Sequence, residues 1–136
     1  MTQKEFKIFH PSGIDISCDL KESAMTAIDN AERKDMGTGY IWYLLPTSEV
    51  FGKEVSFNLC FFNGALFTAD FSLHDPKLYG ENWDDWSEEK ERLRAKDTAA
   101  WLVSQGYKLG SYSWGEIWAG YDPKGATGGG GVNFNH

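Results

Sequence analysis

At 136 residues, with 41% hydrophobic, 15% aromatic and 24% charged residues, the chain has the size and composition of one self-sufficient globular domain, which excludes disordered and collagen-like classes. Thirteen Lys and Arg against twenty Asp and Glu give a net charge of −7, so nucleic acid phosphates are repelled, and no run of about 18 apolar residues offers a membrane span. Cys18 and Cys60 are too few for a disulfide scaffold, and His10, His74 and His136 lie too far apart for metal-ligand spacing, so no metal or cofactor is expected; the charged start MTQKEFKIFH has no cleavable leader, and a cytoplasmic protein is expected.

Phe6 and Ile8, then Ile14, Ile16 and Cys18, alternate with polar residues around Pro11-Ser12-Gly13 and predict a hairpin. Asp19 with Glu22 three residues later is a capping-box pattern, and Leu20, Ala24, Ala27, Ile28 and Ala31 follow at helical spacing, which predicts a helix over 20–34 closed by Gly37. The dense run Tyr40-Ile41-Trp42-Tyr43-Leu44-Leu45, halted by Pro46, predicts a strand covered on both faces near the middle of a sheet. Asn63-Gly64 between two alternating runs, 54–62 and 65–73, is a strong hairpin signal, because both turn positions tolerate positive φ.

Asp85 with Glu88 repeats the capping box and predicts a second helix running to about Gln105, stopped by Gly106. Tyr112 to Tyr121 reads as one further strand and Val132 to Phe134 as the last, with the glycine tract Gly125 to Gly131 as a mobile loop. That tract lacks both the Lys-Ser/Thr ending and the following helix of a phosphate loop. The order ββαβββαββ predicts a single α+β domain with a largely antiparallel sheet of about five to seven strands and two helices on one face.

Charge is concentrated in one place. Between Ala69 and Glu91 stand Asp70, Asp75, Glu81, Asp84, Asp85, Glu88, Glu89 and Glu91 against Lys77 and Lys90, a net −6 of the chain's −7, with Trp83 and Trp86 among them. Some of these carboxylates complement the positive end of the second helix. As a surface, Asp84, Asp85, Glu88 and Glu89 suit a basic protein partner, with Trp83 as the contact anchor. Asp97 projects from the same side of the helix as Trp86, Leu93, Ala100 and Trp101, so it reads as a buried structural carboxylate that needs a partner from the sheet or from Arg or Lys. Lys90, Arg92, Arg94 and Lys96 scatter around the helix as a solvated face, with Glu88–Arg92 and Glu91–Arg94 at pairing distance in sequence. Cys60 within Leu59-Cys60-Phe61-Phe62 reads as core rather than as a nucleophile served by His74. Trp114 and Trp118 share one face of the expected last long strand, either as a packing layer or as an exposed stacking platform.

The last third, from Trp83-Asp84-Asp85-Trp86-Ser87-Glu88-Glu89-Lys90 through Asp97 and Trp101-Leu102 to Trp114-Gly115-Glu116-Ile117 and Gly120-Tyr121-Asp122-Pro123-Lys124-Gly125, resembles small bacterial immunity proteins of polymorphic toxin systems. The resemblance implies a cytoplasmic protein that blocks a sibling toxin by tight binding and has no catalysis of its own. It carries no fixed active-site motif, so the contact residues come from charge alone. The resulting expectation is a monomer or weak homodimer that neutralises a basic toxin, such as a nuclease, by occluding its positive cleft. Two alternatives accompany it: a carbohydrate or small-ligand binding domain that stacks its ligand on Trp83, Trp114 and Trp118, and a small hydrolase built around Asp97.

Overall fold

A computed structural model describes residues 5–80, 83–124 and 126–135, with Trp83 described in its backbone only. Strands β1 (Lys7–Phe9) and β2 (Asp15–Ser17) form the expected first hairpin, pairing the fully buried Ile8 and Ile16. The long first helix is not formed. One 3-10 turn, Glu22–Ala27, takes its place and is followed by β3 (Glu32–Asp35). Asp19 caps nothing there; Lys21 occupies the cap position without a side-chain bond. The backbone is instead tied to the Asn63-Gly64 hairpin, with Glu22 N–H donating to the Gly64 carbonyl and Leu66 N–H to that of Leu20. Asn30 at φ 65° then ends any helical continuation. Glu-Arg-Lys-Asp at 32–35 makes β3 an exposed, charged edge strand, which discourages edge-to-edge pairing with other chains.

Strand β4 (Tyr40–Leu44) lies second from that edge rather than centrally, and Tyr43 is its one buried residue. After the short β5 (Ser48–Val50) come β6 (Lys53–Phe62) and β7 (Ala65–Leu73), joined as expected through Asn63 at φ 52° and Gly64 at φ 80°, the left-handed pair that matches strand twist. Helix α1 (Pro76–Tyr79) is capped by Asp75. Helix α2 (Glu88–Ser104) is capped by Ser87, whose hydroxyl accepts from Lys90 N–H at 3.1 Å, and not by Asp85.

The expected strand 112–121 is a tight hairpin, β8 (Gly110–Tyr112) and β9 (Gly115–Asp122). The glycine tract departs furthest from expectation. Gly128 to Gly131 are not a loop but part of β10 (Thr127–Phe134), which pairs with β7 on one side and β9 on the other. The main sheet is antiparallel in the order β3-β4-β6-β7-β10-β9-β8, with β5 also on β6. Among the described residues there are ten strands, more than the five to seven expected, in an α+β arrangement.

Why glycine suits the sheet interior is geometric. A Cβ at Gly128 would stand 1.7 Å from the Glu91 carbonyl oxygen of α2, and one at Gly131 would stand 2.5 Å from the Trp118 ring on the other face. The helix backbone and the indole occupy the space of the missing side chains. On the α2 side, Phe57, Leu59, Phe61, Leu66, Phe71, Ile117 and Val132 are buried with Leu102 and Trp101, and Phe6 stacks on Phe71 with ring centroids 6.1 Å apart. Tyr107 ties the first hairpin to this core, its hydroxyl donating to the Lys7 carbonyl at 2.7 Å. The alternate residues of β6 and β7, Ser56, Asn58, Asp70 and Ser72, are half-exposed on the opposite face. No helix among the described residues is long and apolar enough to cross a membrane.

Candidate functional site

The acidic stretch divides on folding. Asp75 caps α1, Glu91 turns inward, Asp70 lies on the outer sheet face, and Glu81 is outside the described residues. Asp84, Asp85, Glu88 and Glu89 remain as one exposed group at the start of α2. Arg92 Nε donates to Glu88 Oε2 at 2.8 Å, an exposed i, i+4 pair worth about 0.3–0.5 kcal/mol, and Lys90 Nζ donates to the Asp85 carbonyl. Trp86 is 39% exposed, and its indole N–H donates to the Ala126 carbonyl at 2.7 Å, fastening this segment to the turn between β9 and β10. The side chain of Trp83, expected as the anchor, lies outside the described part.

The inward side of α2 is Glu91, Ala95, Thr98, Trp101 and Leu102, not the Trp86–Leu93–Ala100 stripe expected; Leu93 is exposed. Asp97 is half-buried, and its partner is a phenol rather than a cation or the sheet: Tyr79 Oη donates to Asp97 Oδ2 at 2.6 Å, bracing α1 on α2. Burial, then this hydrogen bond, raises the Tyr79 phenol well above the usual range. The deeply buried carboxylate is Glu91, 4% exposed, which accepts from Gly128 N–H at 2.9 Å and pairs with Arg94 at 3.4 Å. The Glu91–Arg94 pair is therefore part of the helix–sheet joint and not of a solvated face.

The outer sheet face carries two features at opposite ends. Near the Asn63-Gly64 turn, Tyr40 packs on Phe62 (4.7 Å) and Phe67 (5.5 Å), the latter two 38% and 41% exposed. Phe67 is the extra residue of a β-bulge, since Cys60 pairs with Thr68 and Phe61 with Leu66. At the other end, beside the β9–β10 turn, is a cavity of about 390 Å³ whose lining includes Asn58, Asp70, Trp118, Gly120 and Asp122. Burial pushes the Asp70 carboxyl up to about 6. Burial and, secondarily, Asp70 push the buried Cys60 thiol up to about 11, which makes it a poor nucleophile. His74 lies beyond Glu54, past the end of β7 that is remote from Cys60, so the two do not meet.

Trp114 and Trp118 do not share a face. Trp114 sits in the β8–β9 turn, stacked on Tyr112 at 4.9 Å and leaning on the core ring of Phe134 at 5.7 Å. Trp118 is half-buried on the outer face, across Gly131 and in the cavity wall. The bulge and the cavity had no sequence signal, because both depend on register and on which face α2 covers.

No protein-family model and no curated protein sequence matches the chain. A solved structure does. The chain is similar to one in "Rhs1-CT in complex with cognate immunity protein RhsI1", at 16% identity, with a TM-score of 0.57, over 96% of this chain and 83% of that one. The likeness is one of fold. It reaches a toxin–immunity complex, the kind of system that the last third of the sequence resembles, and it extends over nearly the whole chain.

Proposed function

We propose that this chain is an immunity protein that binds and neutralises a basic cognate toxin, with a nuclease as the toxin class its charge fits best. The observation that carries the reading is the exposed group Asp84, Asp85, Glu88 and Glu89, held in one place by the cap at Ser87 and by the bond from Trp86 to the β9–β10 turn. Four exposed carboxylates close together in sequence would stand in for phosphates before a cationic cleft and steer the encounter. The fold likeness to a toxin–immunity complex supports the same reading.

The test is the rate of association with the cognate toxin. Lysine substitution at all four carboxylates is expected to slow association at least tenfold, and wild-type association is expected to slow as salt rises. Unchanged rates in both experiments would refute this contact surface. The sugar-binding alternative uses Trp83, Trp114 and Trp118 as stacking surfaces, and the engagement of Trp114 with Tyr112 and Phe134 favours the immunity reading over it. Tryptophan fluorescence is expected to stay flat across a panel of neutral sugars.

A further inference from the structure

We propose that the cavity on the outer sheet face is a socket for a single cationic side chain, lysine or arginine, presented by the protein partner. That the donor is the toxin rests on the function proposed above; the chemistry of the socket does not. Asp70 stands on β7, the middle strand of the sheet order, paired with Asn58 of β6 on one side and Gly131 of β10 on the other. Among the described residues no hydrogen bond or ion pair engages its carboxylate. A half-buried anion without a partner is unfavourable in the free protein, and an incoming cation removes that penalty.

The rest of the lining fits the same occupant. Trp118 offers an indole face in the wall, to which ammonium and guanidinium groups are attracted. Asn58 adds an amide oxygen able to accept from the same group, and Asp122 adds a second carboxylate at the mouth, where it caps Lys124 N–H at 3.0 Å. Arg94 reaches the inner end but does not fill the role. Its guanidinium is held by Glu91 at 3.4 Å and by the Ser72 hydroxyl at 3.3 Å. The volume of about 390 Å³ accommodates one long side chain, and the mouth adjoins the β9–β10 turn, the element that Trp86 joins to the acidic start of α2. A basic surface spanning that turn would meet the exposed carboxylates and insert one residue into the cavity.

Gly120 supplies a clean probe. A Cβ there meets nothing within 4 Å, so Gly120→Val adds branched apolar bulk to the cavity wall from a position where the first added atom presses on nothing. The experiment is a titration of the isotope-labelled full chain with Nα-acetyl-arginine amide and Nα-acetyl-lysine amide, followed by NMR at the Trp118 indole and Asn58 side-chain amide resonances. Nα-acetyl-glutamine amide and N-acetylglucosamine serve as uncharged comparators. Saturable shifts are expected with the cationic amides alone, weakened at least tenfold by Asp70→Asn and weakened by the added bulk of Gly120→Val, with the spectra otherwise native. Equal shifts from the uncharged amide or the sugar, no shifts from either cation, or cation binding unaltered in Asp70→Asn would each overturn the socket. A parallel arm measures toxin binding. If the wild-type chain binds no toxin, the proposed function fails while the amide titration still decides the cavity; if toxin binds equally to wild type, Asp70→Asn and Gly120→Val, the socket fails as a contact while the function stands.

Discussion

Gly128→Ala puts the joint between helix and sheet under direct test. The added carbon would lie 1.7 Å from the Glu91 carbonyl oxygen and 3.1 Å from Ala95 N, both backbone atoms of α2. Non-bonded heavy atoms rest about 3.5 Å apart, so the helix has to retreat by roughly 1.5–2 Å. Overpacking of this kind costs about 1–3 kcal/mol. The retreat also stretches the 2.9 Å bond from Gly128 N–H to the buried Glu91 carboxylate, and an unsatisfied buried group adds about 1–3 kcal/mol. A total loss of about 2–6 kcal/mol is expected, a large share of the roughly 5–15 kcal/mol that holds a domain together. Urea denaturation followed by tryptophan fluorescence measures it as a fall in the midpoint at unchanged slope. Gly120→Ala, on the neighbouring strand, is the matched control: its Cβ meets nothing within 4 Å, and a gain of up to about 1 kcal/mol is expected from the stiffer unfolded chain. A loss below about 1 kcal/mol in Gly128→Ala would refute the claim that the helix backbone rests on this strand.

Asp70→Asn is expected to stabilise the protein at neutral pH. The folded-state value, pushed up from 3.8 to about 6 by burial, means that the folded chain binds the proton more tightly than the unfolded one, so the wild type is favoured most below pH 4 and loses stability as pH rises through 6. Two units correspond to about 3 kcal/mol at most, and partial solvent access reduces this to about 1–2 kcal/mol; urea curves at pH 4 and pH 8 that differ from those of the variant by the same amount would refute it. Tyr79→Phe removes the 2.6 Å bond to Asp97 and is expected to lower stability by about 1 kcal/mol without altering toxin association, as read by denaturation and by binding kinetics. With a thiol reagent at pH 8, Cys18 is expected to react first and Cys60, buried and pushed up to about 11, only as the chain unfolds; labelling of Cys60 at a rate independent of urea would show that β6 is open.

How much was legible varied with the range of the forces involved. The hairpin at Asn63-Gly64 and the helix over 88–104 were readable because turn chemistry and the Gly106 stop act within a few residues. Charge was readable too, and it marked Asp84, Asp85, Glu88 and Glu89 as a group, since carboxylates within six positions of one another stay neighbours in any compact fold. The helix over 20–34 failed because its local periodicity lost to backbone bonds with residues more than forty positions away, Gly64 and Leu66, and to Asn30 in a left-handed conformation. The buried side of α2 was misassigned for a related reason: Glu91 looks like surface until Gly128 N–H and Arg94 satisfy it.

Composition, charge and short-range signals by themselves determined an acidic α+β protein with one secure hairpin, one secure helix and a concentrated anionic segment. Only the tertiary structure decided that the glycine tract is an interior strand of the sheet, because a glycine looks like a flexible link until the atoms that occupy its missing side chain, here the α2 backbone and the Trp118 ring, are brought against it from elsewhere in the chain. It also decided where Asp70 stands, since β register alone sets which residues of a strand face the core and which face outward.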